Sequence, residues 1–101
     1  MNGLMNFVIE FIDAPGSLEK RIRLRPRHVE YVSSFSEHVL AAGPLLAPDE
    51  ETPIGNLMIV RFPNESSATA FARGDPFVAG GVFESISVRN WRKVIFRDSS
   101  V

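Results

Sequence analysis

The chain has 101 residues, of which 45% are hydrophobic and 23% charged, so it can build one modest core and is too apolar to be disordered. Eleven basic residues oppose twelve acidic ones, and this balance excludes a strong field for nucleic acid or an anionic membrane. The absence of cysteine excludes disulfides, thiolate catalysis and zinc sites built on sulfur.

No apolar run approaches the ~20 residues of a membrane span, and the first residues lack the pattern of a secretory signal. We therefore expect a soluble, cytoplasmic protein with neither a membrane nor a nucleic-acid partner. Residues 1–101 are expected to form one domain with its core at about residues 6–96.

The first elements are a strand and a helical region that a proline divides. Residues 7–12 form a short β-rich run, and a turn cluster closes it at residues 13–16. Ser17 is placed to cap a helical stretch through Leu24, and Pro26 suits the first turn of a second, main helix. Apolar residues then recur at spacings of three or four, which predicts a buried helical stripe formed by Val29, Val32, Phe35 and Val39.

A hairpin, another helix and a long strand complete the chain. Residues 40–46 and 56–62 predict two strands with an acidic turn between them. Residues 64–74 predict a helix with an asparagine cap and a terminal glycine, and Asp75 begins a short helical turn. Alternating apolar and polar residues predict that the last strand runs over residues 84–96.

The order βαββαβ predicts an α+β fold of the ferredoxin-like type, with one antiparallel sheet and two helices on one face. Two helices cover only one face of such a sheet, yet the first and third strands carry apolar residues on both faces. Another surface must cover the open face, and a second copy of the chain is the economical answer. We therefore expect a homodimer in which the two sheets pack face to face.

Five segments support a resemblance by their order and spacing: residues 17–21, 25–28, 42–44, 75–83 and 87–96. Together they resemble the YCII-related (YciI-like) family over nearly the whole chain. The resemblance implies a dimeric α+β barrel of ferredoxin-like subunits, in agreement with the argument from two-faced strands. It also implies that His28 and Asp75 form an active-site pair in a pocket of each subunit. The family's proposed roles include loss of halide from small hydroxylated rings, and its fold is shared with monooxygenases and muconolactone-type isomerases.

His28 and Asp75 each lie where a helix is expected to begin. The partial positive charge of a helix start disfavours a second positive charge, so the imidazole should tend towards neutrality. A neutral imidazole oriented by a carboxylate can accept a proton from a substrate hydroxyl or acidic carbon. Each residue has a structural alternative, since His28 could be a surface or capping side chain and Asp75 an ordinary helix cap. One carboxylate oxygen can cap the helix while the other meets the histidine, so both interpretations of Asp75 can hold.

Four further residues are candidates for substrate binding. Arg25 could bind an anionic substrate group, although arginine before a helix is more often solvated or ion-paired. Gly43 and Pro44 are expected to kink their strand, and the glycine would let a ligand approach the backbone closely. Phe77 is expected in the core or in the pocket wall. His38 has no acidic partner at helical spacing, so we expect it to be exposed to solvent.

No nucleophile motif, phosphate-binding glycine loop or third metal ligand is recognisable, so we expect chemistry without a cofactor or metal. The leading hypothesis is an enzyme that uses His28 as general base, oriented by Asp75. The reaction would be an elimination, an isomerisation or a related proton transfer on a small polar or aromatic molecule. A cofactor-free monooxygenase and a non-enzymatic metabolite-binding or accessory dimer remain alternatives.

Overall fold

The computed structural model describes residues 3–97, and this part of the chain folds into strands and helices in the predicted order, including the short helical turn after Asp75. The elements are β1 (Met5–Asp13), α1 (Leu18–Ser33), β2 (Val39–Leu46), β3 (Pro53–Phe62), α2 (Glu65–Arg73), α3 (Pro76–Ala79) and β4 (Phe83–Asn90). The strands form an antiparallel sheet in the order β2-β3-β1-β4. The predicted ferredoxin-like α+β subunit is therefore confirmed.

The hydrophobic core lies on the sheet face that the helices cover. Alternate residues of the central strands β1 and β3 point to this face and meet one side of α2. The second half of α1 borders the core through Tyr31 and Val32. The buried members of the core are Phe7, Ile9, Phe11, Met58, Val60, Phe62, Ala68, Phe71 and Ala72.

Helix α1 runs through Pro26 without a break, so the prediction of two helices divided there is wrong. A proline inside a helix removes one hydrogen bond and costs about 3 kcal/mol. Here the carbonyl that loses its donor belongs to Ile22, an exposed residue at which water can replace the bond. The inward face of α1 continues on both sides of the proline, and this packing outweighs the local cost. As a result His28 lies in the middle of the helix and not in its first turn.

The two ends of α1 also differ from the prediction. Ser17 precedes the helix, but its hydroxyl donates to the Ala14 carbonyl at 2.7 Å and does not cap the helix. The helix ends at Ser33, so Val39 begins β2 and does not belong to the helical stripe. Val39 nevertheless packs against the core from its strand position.

The last strand is shorter than the predicted range of residues 84–96. Strand β4 ends at Asn90, which pairs with Phe7 of β1. Because β1 itself begins at Met5, it offers almost nothing further for β4 to pair with. The alternating pattern beyond Asn90 therefore does not form a strand, and Val94 and Ile95 in this segment are exposed.

The second sheet face carries apolar side chains that no helix covers. They come from positions that alternate with the core positions in the central strands, namely Val8, Ile12, Leu57 and Ile59. Gly43 pairs with Leu57, so its missing side chain also belongs to this face, and a Cβ added there would meet nothing within 4 Å.

Strand β2 is an edge strand, and its irregularities do not lie where the sequence predicts them. Its register shifts at Val39/Ala41 and at Leu45/Leu46, while pairing with β3 continues through Gly43 and Pro44. Proline is tolerated in an edge strand because a backbone donor is not needed on its open side. The register of β2 is therefore regular at Gly43 and Pro44.

Candidate active site

A cavity of about 280 Å³ opens between α1 and the neighbouring strands β2 and β3. Its size is near the lower end of the usual range for small-molecule pockets, roughly 300–1,000 Å³, and suits a ligand of about one ring. Four of the predicted site residues line it, Arg25, His28, Gly43 and Pro44, together with Arg21 and Asn56. Asp75 and Phe77 lie behind this lining.

The structure brings His28 and Asp75 into direct contact. The Nδ1 atom of His28 is 2.7 Å from the Oδ2 atom of Asp75, and the two side chains are 12% and 1% exposed. The second carboxylate oxygen, Oδ1, accepts the backbone N–H of Phe77 at 2.9 Å. Asp75 therefore caps α3 and holds the imidazole at the same time, which is the dual arrangement that the sequence allows.

This contact determines which nitrogen of His28 is available to a ligand. A neutral imidazole that donates from Nδ1 to the carboxylate has its free electron pair on Nε2. Among residues 3–97, Nε2 has no hydrogen-bond partner, and it is not sealed from solvent. In this tautomer Nε2 is the ring nitrogen that can accept a proton, and His28 lines the cavity. His28 lies far from the start of α1, and Asp75 orients its ring.

Phe77 supports the imidazole from behind. Its ring stacks on that of His28 with the centroids 4.2 Å apart and the planes 14° apart, and it has no exposed surface. A fully buried side chain cannot contact a substrate directly. The predicted binding role of Phe77 is therefore corrected to a packing role that limits rotation of the His28 ring.

Arg21 is the principal site residue that the sequence analysis missed. It is only 4% exposed, and its Nε and Nη2 atoms donate to the two carboxylate oxygens of Asp13 at 2.8 and 3.0 Å. Nη2 also contacts the Gly55 carbonyl, at 2.9 Å, and the Asn56 side-chain oxygen. Nη1 has no partner within residues 3–97 and is not sealed from solvent, so it presents two N–H groups to the cavity.

A helical spacing in the sequence could have identified Arg21. Arg21, Arg25 and His28 stand at positions i, i+4 and i+7, which share one face of an uninterrupted helix. The assumed break at Pro26 hid this relation. The side-chain partners of Arg21 are Asp13 and Asn56. In the sequence Asp13 lies in a turn cluster and Asn56 at the start of a predicted strand, and neither local pattern indicates a shared site.

His38 is not the exposed residue that the sequence predicts. Its Nδ1 atom is 2.8 Å from the Arg61 carbonyl oxygen, and its ring stacks on Phe62 with a centroid distance of 4.5 Å. The side chain is half-buried, and it does not line the cavity. Its contacts connect the end of the α1 region to β3, which gives it a structural role.

Tyr31 packs against the segment that leads into Asp75. Its hydroxyl donates to the Phe71 carbonyl at 2.8 Å near the end of α2. A Cβ added to Gly74 would lie 2.4 Å from this hydroxyl, so the glycine permits the close approach of the two segments. Burial, and secondarily the negative charge of Asp75, raise the pKa of Tyr31. Tyr31 thus couples the helix that carries His28 to the segment that carries Asp75.

The titration of Tyr31 provides a direct prediction, because it is the only tyrosine in the chain. We expect the phenolate absorbance of the folded protein to appear with a midpoint above the value of about 10 for a free tyrosine. A raised folded pKa means that the neutral form is favoured, so this stabilisation is complete below pH ~10 and is lost as pH rises through the folded value. Protein unfolded in guanidinium is the control, and a folded midpoint at or below that of the unfolded chain would contradict the contacts.

No group of three or more His, Asp, Glu or Cys side chains within residues 3–97 is arranged to hold a metal ion. Over the same residues, no helix combines the length and the apolar character needed to cross a membrane.

Comparison with known proteins identifies the family. The sequence profile of the YCII-related domain matches residues 5–92. The chain belongs to the YCII-related family. This YCII-related chain is 37% identical over 97 residues to Protein YciI of Escherichia coli O6:H1, a match that covers 89% of the chain and 99% of that relative.

Two solved structures place the YCII-related chain among known folds. The 5-chloro-2-hydroxyhydroquinone dehydrochlorinase TftG of Burkholderia phenoliruptrix, in complex with 2,5-dihydroxybenzoquinone, matches with a TM-score of 0.79 and 27% identity over 87% of this chain and 94% of its own. A dimeric protein of unknown function and ferredoxin-like fold from Bacteroides fragilis matches with a TM-score of 0.50 and 17% identity over 89% and 96%. The match to the B. fragilis protein shows the fold alone. TftG is an enzyme that is named for its action on a small hydroxylated ring.

Proposed function

We propose that this YCII-related protein is a cofactor-independent enzyme in which His28, oriented by Asp75, is the general base of a proton transfer on a small molecule. One observation carries the proposal. The free Nε2 of His28 and the free Nη1 of Arg21 both belong to residues that line one cavity. A proton acceptor and a positively charged hydrogen-bond donor therefore face the same bound molecule.

The chemistry follows from these two groups. His28 Nε2 takes a proton from a substrate hydroxyl or acidic carbon, and Asp75 stabilises the imidazolium that forms. Negative charge develops on a substrate oxygen, where the Nη1 N–H groups of Arg21 can stabilise it. General base catalysis contributes about 10²–10⁴-fold to such reactions, and one fixed donor to the oxyanion about 10²–10³-fold. Asp13 keeps the Arg21 guanidinium in place and therefore acts as a positioning residue.

The type of reaction is inferred from the similarity of the chain to TftG and from the volume of the cavity. TftG, which is described as a dehydrochlorinase, shares 27% identity and the fold with this chain. A cavity of about 280 Å³ accommodates a single substituted ring. Elimination of halide from a hydroxylated ring compound is thus the leading reaction, and isomerisation of a similar compound uses the same proton transfer.

The test is a turnover assay of the purified protein on small hydroxylated rings with and without a chlorine substituent. Chloride release, product formation and oxygen uptake are followed for the wild type and for Asp75→Asn. We expect turnover that Asp75→Asn reduces strongly, without oxygen uptake. Oxygen uptake that accompanies turnover would instead indicate a cofactor-free monooxygenase. Ligand binding without turnover of any compound would favour the non-enzymatic metabolite-binding dimer.

We further propose that a second copy of the chain covers the open sheet face, so that the protein is a homodimer. The apolar side chains on this face support the proposal, because an uncovered apolar patch of this kind is uncommon in a monomer. The B. fragilis protein of similar fold, which is described as dimeric, is consistent with it. Gly43 leaves additional space on the same face.

Substitution on this face should dissociate the dimer. Leu57→Glu places a charge on the proposed interface, while Leu18→Glu places it at the start of α1, at an equally exposed leucine (37% and 41% exposure). We expect sedimentation at micromolar concentration to show a dimer for the wild type and Leu18→Glu and a monomer for Leu57→Glu. A folded wild-type monomer under these conditions would contradict the proposal.

A further inference from the structure

We infer that the ligand of this cavity is a small ring compound that carries a carboxylate, and that Arg25 binds this carboxylate. The inference rests on the proposed function in one respect, since it concerns the same cavity and the same ligand. It goes further because it identifies the charge of the substrate and the residue that recognises it.

Arg25 brings an unpaired positive charge to the cavity. Arg21 and Arg25 bring positive charge to the lining, and no carboxylate lines it. The charge of Arg21 is neutralised by Asp13 in a buried ion pair, and His28 is paired with Asp75. Arg25 has no ion pair with any residue from 3 to 97. The Asp75 carboxylate contacts His28 and the backbone N–H of Phe77 behind the lining. Arg25 therefore carries a lining charge with no ion-pair partner among these residues, and a ligand carboxylate can pair with it.

The helix places this charge close to the proposed general base. Arg25 and His28 are three residues apart on α1, so they are neighbours on one face, with about 5–6 Å between Cβ atoms. A ring with its hydroxyl at His28 can therefore place a carboxylate substituent against the guanidinium of Arg25. On the opposite wall Gly43 and Pro44 present backbone and an apolar ring, which suits the face of a planar molecule.

The exposure of the two arginines indicates different tasks. Arg21 is buried and fixed by three protein partners, as a group that stabilises charge during a reaction needs to be. Arg25 is exposed, so water solvates it when the cavity is empty, and a carboxylate can replace this water through a bidentate ion pair. The geometry thus separates charge recognition by Arg25 from charge stabilisation by Arg21.

Binding of two matched probes tests the inference without turnover. The probes are 2,5-dihydroxybenzoate and its neutral isostere 2,5-dihydroxybenzamide, titrated by calorimetry into the wild type at low ionic strength. A charge-assisted hydrogen bond at an exposed site is worth about 1.5 kcal/mol, so we expect the benzoate to bind about tenfold tighter. Arg25→Gln should remove this preference. Arg27→Gln is the control, because Arg27 is an exposed arginine of the same helix that does not line the cavity.

Three results would overturn the inference: equal affinity of the wild type for both probes, absence of binding of both probes, or equal loss of the preference in Arg25→Gln and Arg27→Gln. The outcome is separable from that of the proposed reaction. If the wild type binds the benzoate preferentially but turns over no compound, the proposed reaction fails and the inference stands. If turnover depends on His28 but neutral rings bind and react as well as acids, the inference fails and the reaction stands.

Discussion

Replacement of His28 with glutamine is expected to lower kcat by about 10²–10⁴-fold while the affinity for ligand changes little. Glutamine retains an N–H group that can donate to Asp75, but its amide does not take up a proton at neutral pH. The cavity and its arginines remain in place, because the His28 side chain is not part of the buried core. Turnover measured at saturating substrate, together with separately measured ligand binding, gives the two quantities.

The chain contains a matched control, since His38 is its only other histidine. His38 is half-buried and hydrogen-bonded, but it does not line the cavity. We expect His38→Gln to retain turnover within a small factor of the wild type. Full turnover in His28→Gln, or an equal loss in both variants, would show that His28 is not the general base.

Replacement of Arg21 with methionine is expected to lower the free energy of unfolding by about 3–5 kcal/mol. The change removes a guanidinium whose side chain is 5% exposed and leaves Asp13, 9% exposed, as an uncompensated charge. The Gly55 carbonyl also loses its donor. Urea unfolding of the two proteins measures the difference, which is large for a chain of this size.

Two further variants separate the ion pair from a general effect of charge. Arg23→Met removes an exposed arginine of the same helix that lies outside the cavity, and it should change stability by no more than about 0.5 kcal/mol. Adding Asp13→Asn to Arg21→Met should restore part of the lost stability, because the unpaired charge is then gone. A loss below 1 kcal/mol in Arg21→Met, or no recovery in the double variant, would contradict the buried pair.

The sequence predicts the fold well because the strands and α2 carry strong local signals. Asn64, for example, caps α2 as expected, and its side-chain oxygen accepts the N–H of Ser67 at 2.8 Å. The errors arise where packing at a distance outweighs a local signal. Pro26 is locally a helix start, but the inward face of α1 continues past it. The end of β4 depends on where its partner strand begins, and no local pattern contains this information.

The candidate site was predictable only in part, because some of its residues depend on contacts between distant elements. The spacing of His28 and Asp75 does not by itself bring them together, and their pairing was implied by the family resemblance. The two side chains lie 2.7 Å apart, and their role as an active-site pair stays a prediction. Arg21 was missed because its role depends on a continuous helix and on partners from two other elements. Phe77 was expected near a ligand, but its burial shows that it packs behind the imidazole. The residues found from the sequence are thus those with a helix-start signal or a family resemblance, and the residue missed is one whose role depends on partners that only the fold brings together.

The central claim is that Asp75 holds His28 with its free electron pair directed to a ligand. Long-range ¹H–¹⁵N NMR correlations of the histidine ring test this claim directly, because they identify the protonated nitrogen without a substrate. At a pH where the ring is neutral, we expect the proton on Nδ1, which donates to Asp75, and an unprotonated Nε2. A His28 ring with its proton on Nε2 would leave no base facing the cavity and would contradict the account.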